Sequence, residues 1–240
     1  ALAFDEGTDD ILGIYNTGSN RRTFALRKDQ TEAAQFLFST DGSSGSNIAS
    51  SASVIQLRTW HHYAVVRRNL VYELYFDGVK VATKSDSTGA IYTNNDDGLR
   101  IGSSYNTDFH GYISNVRICK GHAVYTENFT VPTRELEVHT KPPKGVVFPA
   151  ADNVTVLLAC QSSTDATADS SGRHTITAAG NAHAQSANPG LFRGTNISST
   201  ITENTGSVYF DGSGDYLETK ENGNDFDFDG DFTIETWIYF

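Results

Sequence analysis

Apolar residues recur at every second position through most of the structured-looking stretches of this chain. Arg22 to Arg27 alternates, and Gln35 to Phe38 is a short apolar run that stops at Ser39-Thr40-Asp41-Gly42. Trp60 to Arg67, Val71 to Phe76 and Gly111 to Cys119 are rich in Val, Ile, Tyr and Phe. Period two sends successive side chains to opposite faces of a strand, and branched and aromatic residues fill a pleated surface well. Asp-Gly pairs at 41–42, 77–78, 97–98, 211–212 and 229–230 supply tight turns, because Gly accepts a positive φ and Asp tolerates one. No segment carries a 3.6-residue apolar stripe of useful length. Short strands with frequent turn signals predict an all-β sandwich or barrel.

The pattern breaks once, from Lys141-Pro142-Pro143 to Pro149. Pro cannot donate to a strand ladder and restricts the residue before it, so 136–150 reads as a stiff connector between segments 1–135 and 151–240. In the second segment Val154 to Leu158, Gly206 to Leu217 and Phe232 to Phe240 read as strands, with a polar loop from Ser162 to Arg173. The last strand alternates cleanly. Phe232, Ile234, Thr236, Ile238 and Phe240 face one way; Thr233, Glu235, Trp237 and Tyr239 face the other.

Several segments together resemble a known fold family. Thr59-Trp60-His61-His62-Tyr63-Ala64-Val65-Val66-Arg67, Tyr75-Phe76-Asp77-Gly78-Val79, Leu99-Arg100-Ile101-Gly102 and Gly111 to Ile118 resemble the later strands of a laminin-G-like, concanavalin A-like jelly roll. Tyr125 to Pro132 resembles the closing segment of the version common in bacteriophage virion proteins and large bacterial surface proteins. Val154 to Leu158, Asp169-Ser170-Ser171-Gly172, Ser207 to Leu217 and Gly230 to Trp237 resemble its earlier strands. The resemblance implies a two-sheet antiparallel jelly roll whose two parts stand in reversed order. Three arrangements give that order: a window cut from a tandem array, which is the expectation favoured here, a circular permutant closing one sandwich, or exchange of segments between neighbouring subunits. In the last two, Val154 to Leu158 pairs beside Ile113 to Ile118 and brings Cys119 near Cys160. The absence of Met and the unfinished strand at Phe240 fit the window.

Composition narrows the function classes. With 18 Lys and Arg against 29 Asp and Glu, the net charge of −11 argues against nucleic acid and anionic membranes as partners. No apolar run approaches the roughly 18 residues that span a bilayer, so no membrane insertion is expected. Cys119 and Cys160 are too few for a disulfide framework and read as buried free thiols, with a bridge between them as the alternative. A glucanase on this fold would carry clustered carboxylates flanking the scissile bond at about 5 Å; Glu73/Asp77 and Glu218/Glu221 lack the third acid of that pattern. The chain is therefore read as non-enzymatic. Adjacent His61 and His62 point to opposite faces of a strand and cannot share a metal.

Asp225, Asp227 and Asp229 before Gly230 match the start of a calcium loop, although Thr236 stands where its last ligand would be Glu. They are the metal candidates and calcium the one cofactor considered. The alternative has Phe226 and Phe228 entering the core. Asn94 to Gly98 is a second oxygen-rich loop. Tyr15, Tyr92 and Tyr105, each beside Asn or Ser, are the candidates for stacking on sugars, with loop packing as the alternative. Sequons occur at Asn128, Asn153 and Asn196. The expected function is a structural or adhesion module outside a cell or on a virion, such as a tail fibre, spike or capsid-associated protein. Its expected partners are assembly subunits or further copies of itself; the alternative is a lectin-like module for cell-surface glycans, assisted by calcium.

Overall fold

A computed structural model describes residues 7–86, 89–94, 96–138, 154–189, 206–219 and 224–240. Among them lie fifteen strands: β1 (Asp9–Asn16), β2 (Arg21–Lys28), β3 (Ala34–Phe38), β4 (Ser46–Ala49), β5 (Trp60–Arg68), β6 (Val71–Phe76), β7 (Val79–Ser85), β8 (Arg100–Ile101), β9 (His110–Lys120), β10 (Thr155–Ala159), β11 (Ile176–Ala179), β12 (His183–Gln185), β13 (Ser207–Asp211), β14 (Tyr216–Thr219) and β15 (Phe232–Tyr239). One sheet runs β11-β14-β8-β1-β2-β3-β4 and the other β12-β13-β9-β15-β5-β6-β7, with β10 also on β9. All the pairings are antiparallel, and no described residue is helical. The expected two-sheet sandwich is what the chain forms.

Alternation decides the layers. Leu217, Ile101, Leu12, Leu26, Phe36 and Ile48 stand opposite one another across the first sheet and all turn into the core. Facing them are Tyr72, Phe232 and Ile234 of the second sheet. Phe36 lies 5.8 Å from the Tyr72 ring and 6.2 Å from Phe232, while Phe38 stacks on Tyr72 at 4.4 Å. These inward rings are the main stabilising contacts, since each large side chain removed from water contributes about 1.5–3 kcal/mol.

Strands from both sides of residues 139–153 enter both sheets. β15 lies between β9 and β5, β10 and β13 share the far edge of β9, and β14 pairs with β8. Gly111 permits the β9–β15 approach, because its φ of 146° disfavours a side chain and a Cβ there would collide with the Tyr239 carbonyl. Asp169 anchors the loop after β10: its carboxylate accepts the backbone N–H groups of Leu158, Ser171, Arg173 and His174 at 2.9–3.1 Å.

The proximity of Cys119 and Cys160 that a closed or segment-exchanged sandwich would bring is not what the register gives. Cys119 stands opposite Thr155, whereas Cys160 O accepts the N–H of Asn115, at the other end of the ladder. Several residues at about 3.3 Å each separate them, far beyond disulfide reach. Both are buried free thiols; burial pushes Cys119 up to about 11 and raises Cys160 as well.

Candidate recognition site

β8 has only two residues, and they point opposite ways. Ile101 enters the core; Arg100 turns outward next to Glu218 of β14. The guanidinium lies between two rings, 3.7 Å from the centre of Tyr105 and 3.9 Å from that of Tyr216. Its Nε donates to Glu218 Oε1 at 3.0 Å. Stacking, charge and hydrogen bonding together hold one orientation of a long side chain. The Tyr105 hydroxyl sits 2.8 Å from both Glu218 Oε1 and Gly98 O. Burial, then the bond to Glu218 and its charge, raises the Tyr105 pKa, so the phenol keeps its proton.

Arg100, Tyr105, Glu218 and Gly98 line an open cavity of about 550 Å³ together with Asp96, Asp97 and Thr177, while Tyr216 backs the guanidinium without lining the cavity. The acidic wall is held from behind: Arg21 pairs with Asp97 at 3.4 Å and Asp96 at 3.2 Å, and Asn94 donates to Asp97 at 2.9 Å. The cavity thus presents carboxylate acceptors, a fixed guanidinium and ring edges. That set suits a ligand rich in hydroxyls. Its lining contains neither His nor Cys.

Of the three tyrosine candidates, only Tyr105 reaches this cavity. Tyr15 is corrected: it is 6% exposed, at the end of β1, with its hydroxyl packed against Gly45, and burial raises its pKa. Polar neighbours in sequence suggest a loop, but the strand continues through it. Tyr92 is half-buried against Gly42, and its N–H donates to Ser39 O at 2.8 Å. It closes one end of the sandwich.

Asp225, Asp227 and Asp229 do not converge. Asp225 takes a bidentate pair from Arg173 at 2.8 and 2.6 Å, and among the described residues no group of three or more His, Cys, Asp or Glu is arranged to hold a metal. Phe228 enters the core against Phe232, and half-buried Phe226 stacks on His174. Of the sequons, Asn128 is exposed and its side chain accepts the Lys80 N–H at 2.8 Å; Asn153 and Asn196 lie outside the described residues.

His61 and His62 divide as expected. His61 faces Phe76 and lies 2.7 Å from Asp77; His62 is on the opposite face. There the segment from Ala123 to Leu136 straps the outer side of the second sheet, with Tyr125 and Phe129 stacked 3.6 Å apart over Ala64, Val66 and Tyr75. Beneath it Glu235 is fully buried, held by Arg117 at 2.5 Å, His62 at 3.1 Å and the Tyr125 hydroxyl at 2.6 Å. Burial pushes Glu235 upward, but the Arg117 charge and the bonds from His62 and Tyr125 outweigh it and hold the carboxyl at about 2. Of the acids considered for hydrolysis, Glu73 is engaged by Lys80 and Tyr75, Asp77 by His61 and Glu218 by Arg100, and Glu221 lies outside the described residues.

Sequence reasoning missed Arg100 and Tyr216 because they are brought together only through β8 and β14. Among the described residues no helix is long and apolar enough to cross a membrane. A family model described as the concanavalin A-like lectin/glucanases superfamily, in its laminin-G form, matches residues 3–123. No curated protein and no solved structure matches the chain.

Proposed function

Taking as premise that the chain belongs to the concanavalin A-like lectin/glucanases superfamily, we propose that it is a non-catalytic, lectin-like adhesion module working on the outside of a cell or virion. The observation that carries this reading is the open cavity in which Arg100 is clamped between Tyr105 and Tyr216 beside Glu218. Its polar groups are preoriented, so little side-chain freedom is lost when sugar hydroxyls replace water. In this reading the two segments close one permuted sandwich that a larger surface or virion assembly carries, and calcium is dispensable.

A glycan array read with and without chelator tests it. Binding is expected in both conditions, weakened about tenfold by Arg100→Ala, which corresponds to about 1.4 kcal/mol. Binding abolished by chelator would reinstate calcium at the site. An empty array would overturn the lectin reading and leave a purely structural role.

A further inference from the structure

Five strands of the second sheet place an aromatic side chain in one continuous row. The register sets His183 opposite Tyr209, Tyr209 opposite Tyr112, Tyr112 opposite Tyr239, and Tyr239 opposite Trp60. Neighbouring rings are in contact all along it: 5.6 Å from His183 to Tyr209, 5.1 Å on to Tyr112, 5.8 Å to Tyr239 and 5.6 Å to Trp60. The row lies on the outer face, since Ile113, Val208 and Ile238 of the same strands enter the core. Further along that face the strap covers the sheet and buries His62 and Trp237. The five rings stay exposed or half-buried.

Ring contacts between neighbours account for why the aromatics pack, but not for why an open face holds five of them. An aliphatic docking face would carry Leu, Ile, Val or Met. Among the described residues the exposed large apolar side chains are Leu70, in the β5–β6 turn, and Val79, which begins β7, and neither belongs to the row. Every member of the row instead pairs a flat ring with a polar tip, the combination that takes the C–H face of a pyranose while bonding its hydroxyls. Polar groups flank it, His110 and Asp211 on one side and Gln185 on the other. Strand spacing of about 4.8 Å matches roughly one sugar unit per strand. The net charge of −11, with Asp211 at the rim, disfavours an acidic chain.

We infer that this row is a second recognition surface, which takes a linear, neutral polysaccharide laid across strands β12, β13, β9, β15 and β5. The inference deepens the adhesion reading and rests on it, but places the extended ligand on the sheet opposite the Arg100 cavity.

The test is affinity electrophoresis and calorimetry of the whole chain with a soluble neutral β-glucan and with polygalacturonate, comparing the parent with Tyr209→Ala, Trp60→Ala, their double variant and Arg100→Ala. The expected result is binding of the neutral glucan only, weakened at least tenfold by each single row variant and abolished in the double. Should a row variant misfold by circular dichroism, Trp237→Phe leaves Trp60 as the one indole, and its emission must shift on titration with glucan. Glucan binding that responds to Arg100→Ala but not to the row variants overturns the row and leaves the adhesion reading intact, as does a positive glycan array without glucan binding. Failure of both array and glucan overturns both. A change in sedimentation with the row variants, without a change in glucan binding, makes the row a contact between copies and also overturns it.

Discussion

Glu235 is a carboxylate taken wholly out of water. It stands at the centre of β15 with no exposed surface, and its charge is retained only because Arg117, His62 and Tyr125 converge on it. Removing one partner of such a buried pair is costly: Glu235→Ala should lose about 3–5 kcal/mol, read as a lower denaturant midpoint, because Arg117 stays buried without its counter-charge. The pair also sets an acid limit. The folded pKa of about 2 lies below the ordinary value of 4.5, so this contribution is fully present above pH 4.5 and is lost as pH falls toward 2. It amounts to about 3 kcal/mol. Denaturation curves at pH 6, 4 and 2.5 should show that loss, and a flat profile would place the acid sensitivity elsewhere. Sequence placed Glu235 correctly on the face opposite Ile234, but nothing local distinguished a buried acid from a solvated one. The distinction comes from a strap about a hundred residues earlier in the chain.

At the scale of elements, the turn chemistry was largely readable. Asp77-Gly78 joins β6 to β7 with both residues at positive φ, 49° and 78°, as a two-residue hairpin requires. The β5–β6 hairpin was not readable from turn residues, because it uses Asn69 and Leu70, at φ 50° and 63°. A left-handed conformation costs an L residue about 1–2 kcal/mol, and Leu70 is 45% exposed, so it gains little packing in return. Leu70→Gly should therefore stabilise the chain by up to about 1 kcal/mol, raising Tm by about 2–4 °C. A fall in Tm would mean that the Leu70 side chain packs more than its exposure implies. The tetrapeptide Tyr-Phe-Asp-Gly occurs at 75–78 and again at 209–212, and the two copies meet different fates. Tyr75 lies under the strap at 0% exposure, and Tyr209 belongs to the open aromatic row.

At the scale of the molecule, the two segments share one hydrophobic core: Phe24, Phe36 and Tyr72 pack with Phe210, Phe228, Phe232 and Ile238. Trp60 and Trp237, one from each segment, both lie on the second sheet and report on it independently. Single-tryptophan variants, Trp60→Phe and Trp237→Phe, should show coincident fluorescence midpoints in guanidinium if the segments unfold together. Two separate midpoints would mean that each segment is a unit of its own. Period-two alternation, turn residues and the Pro-rich break were properties of neighbouring residues, so the sequence by itself determined the strands with the clearest alternation, the faces their side chains take, the all-β class and the family resemblance. Which strand lies beside which was decided only by the fold, because pairing is chosen by how two whole faces bury one another and how a strap covers what remains. For that reason Arg100 met Tyr216, Cys119 stayed apart from Cys160, and five rings scattered from Trp60 to Tyr239 came into one row.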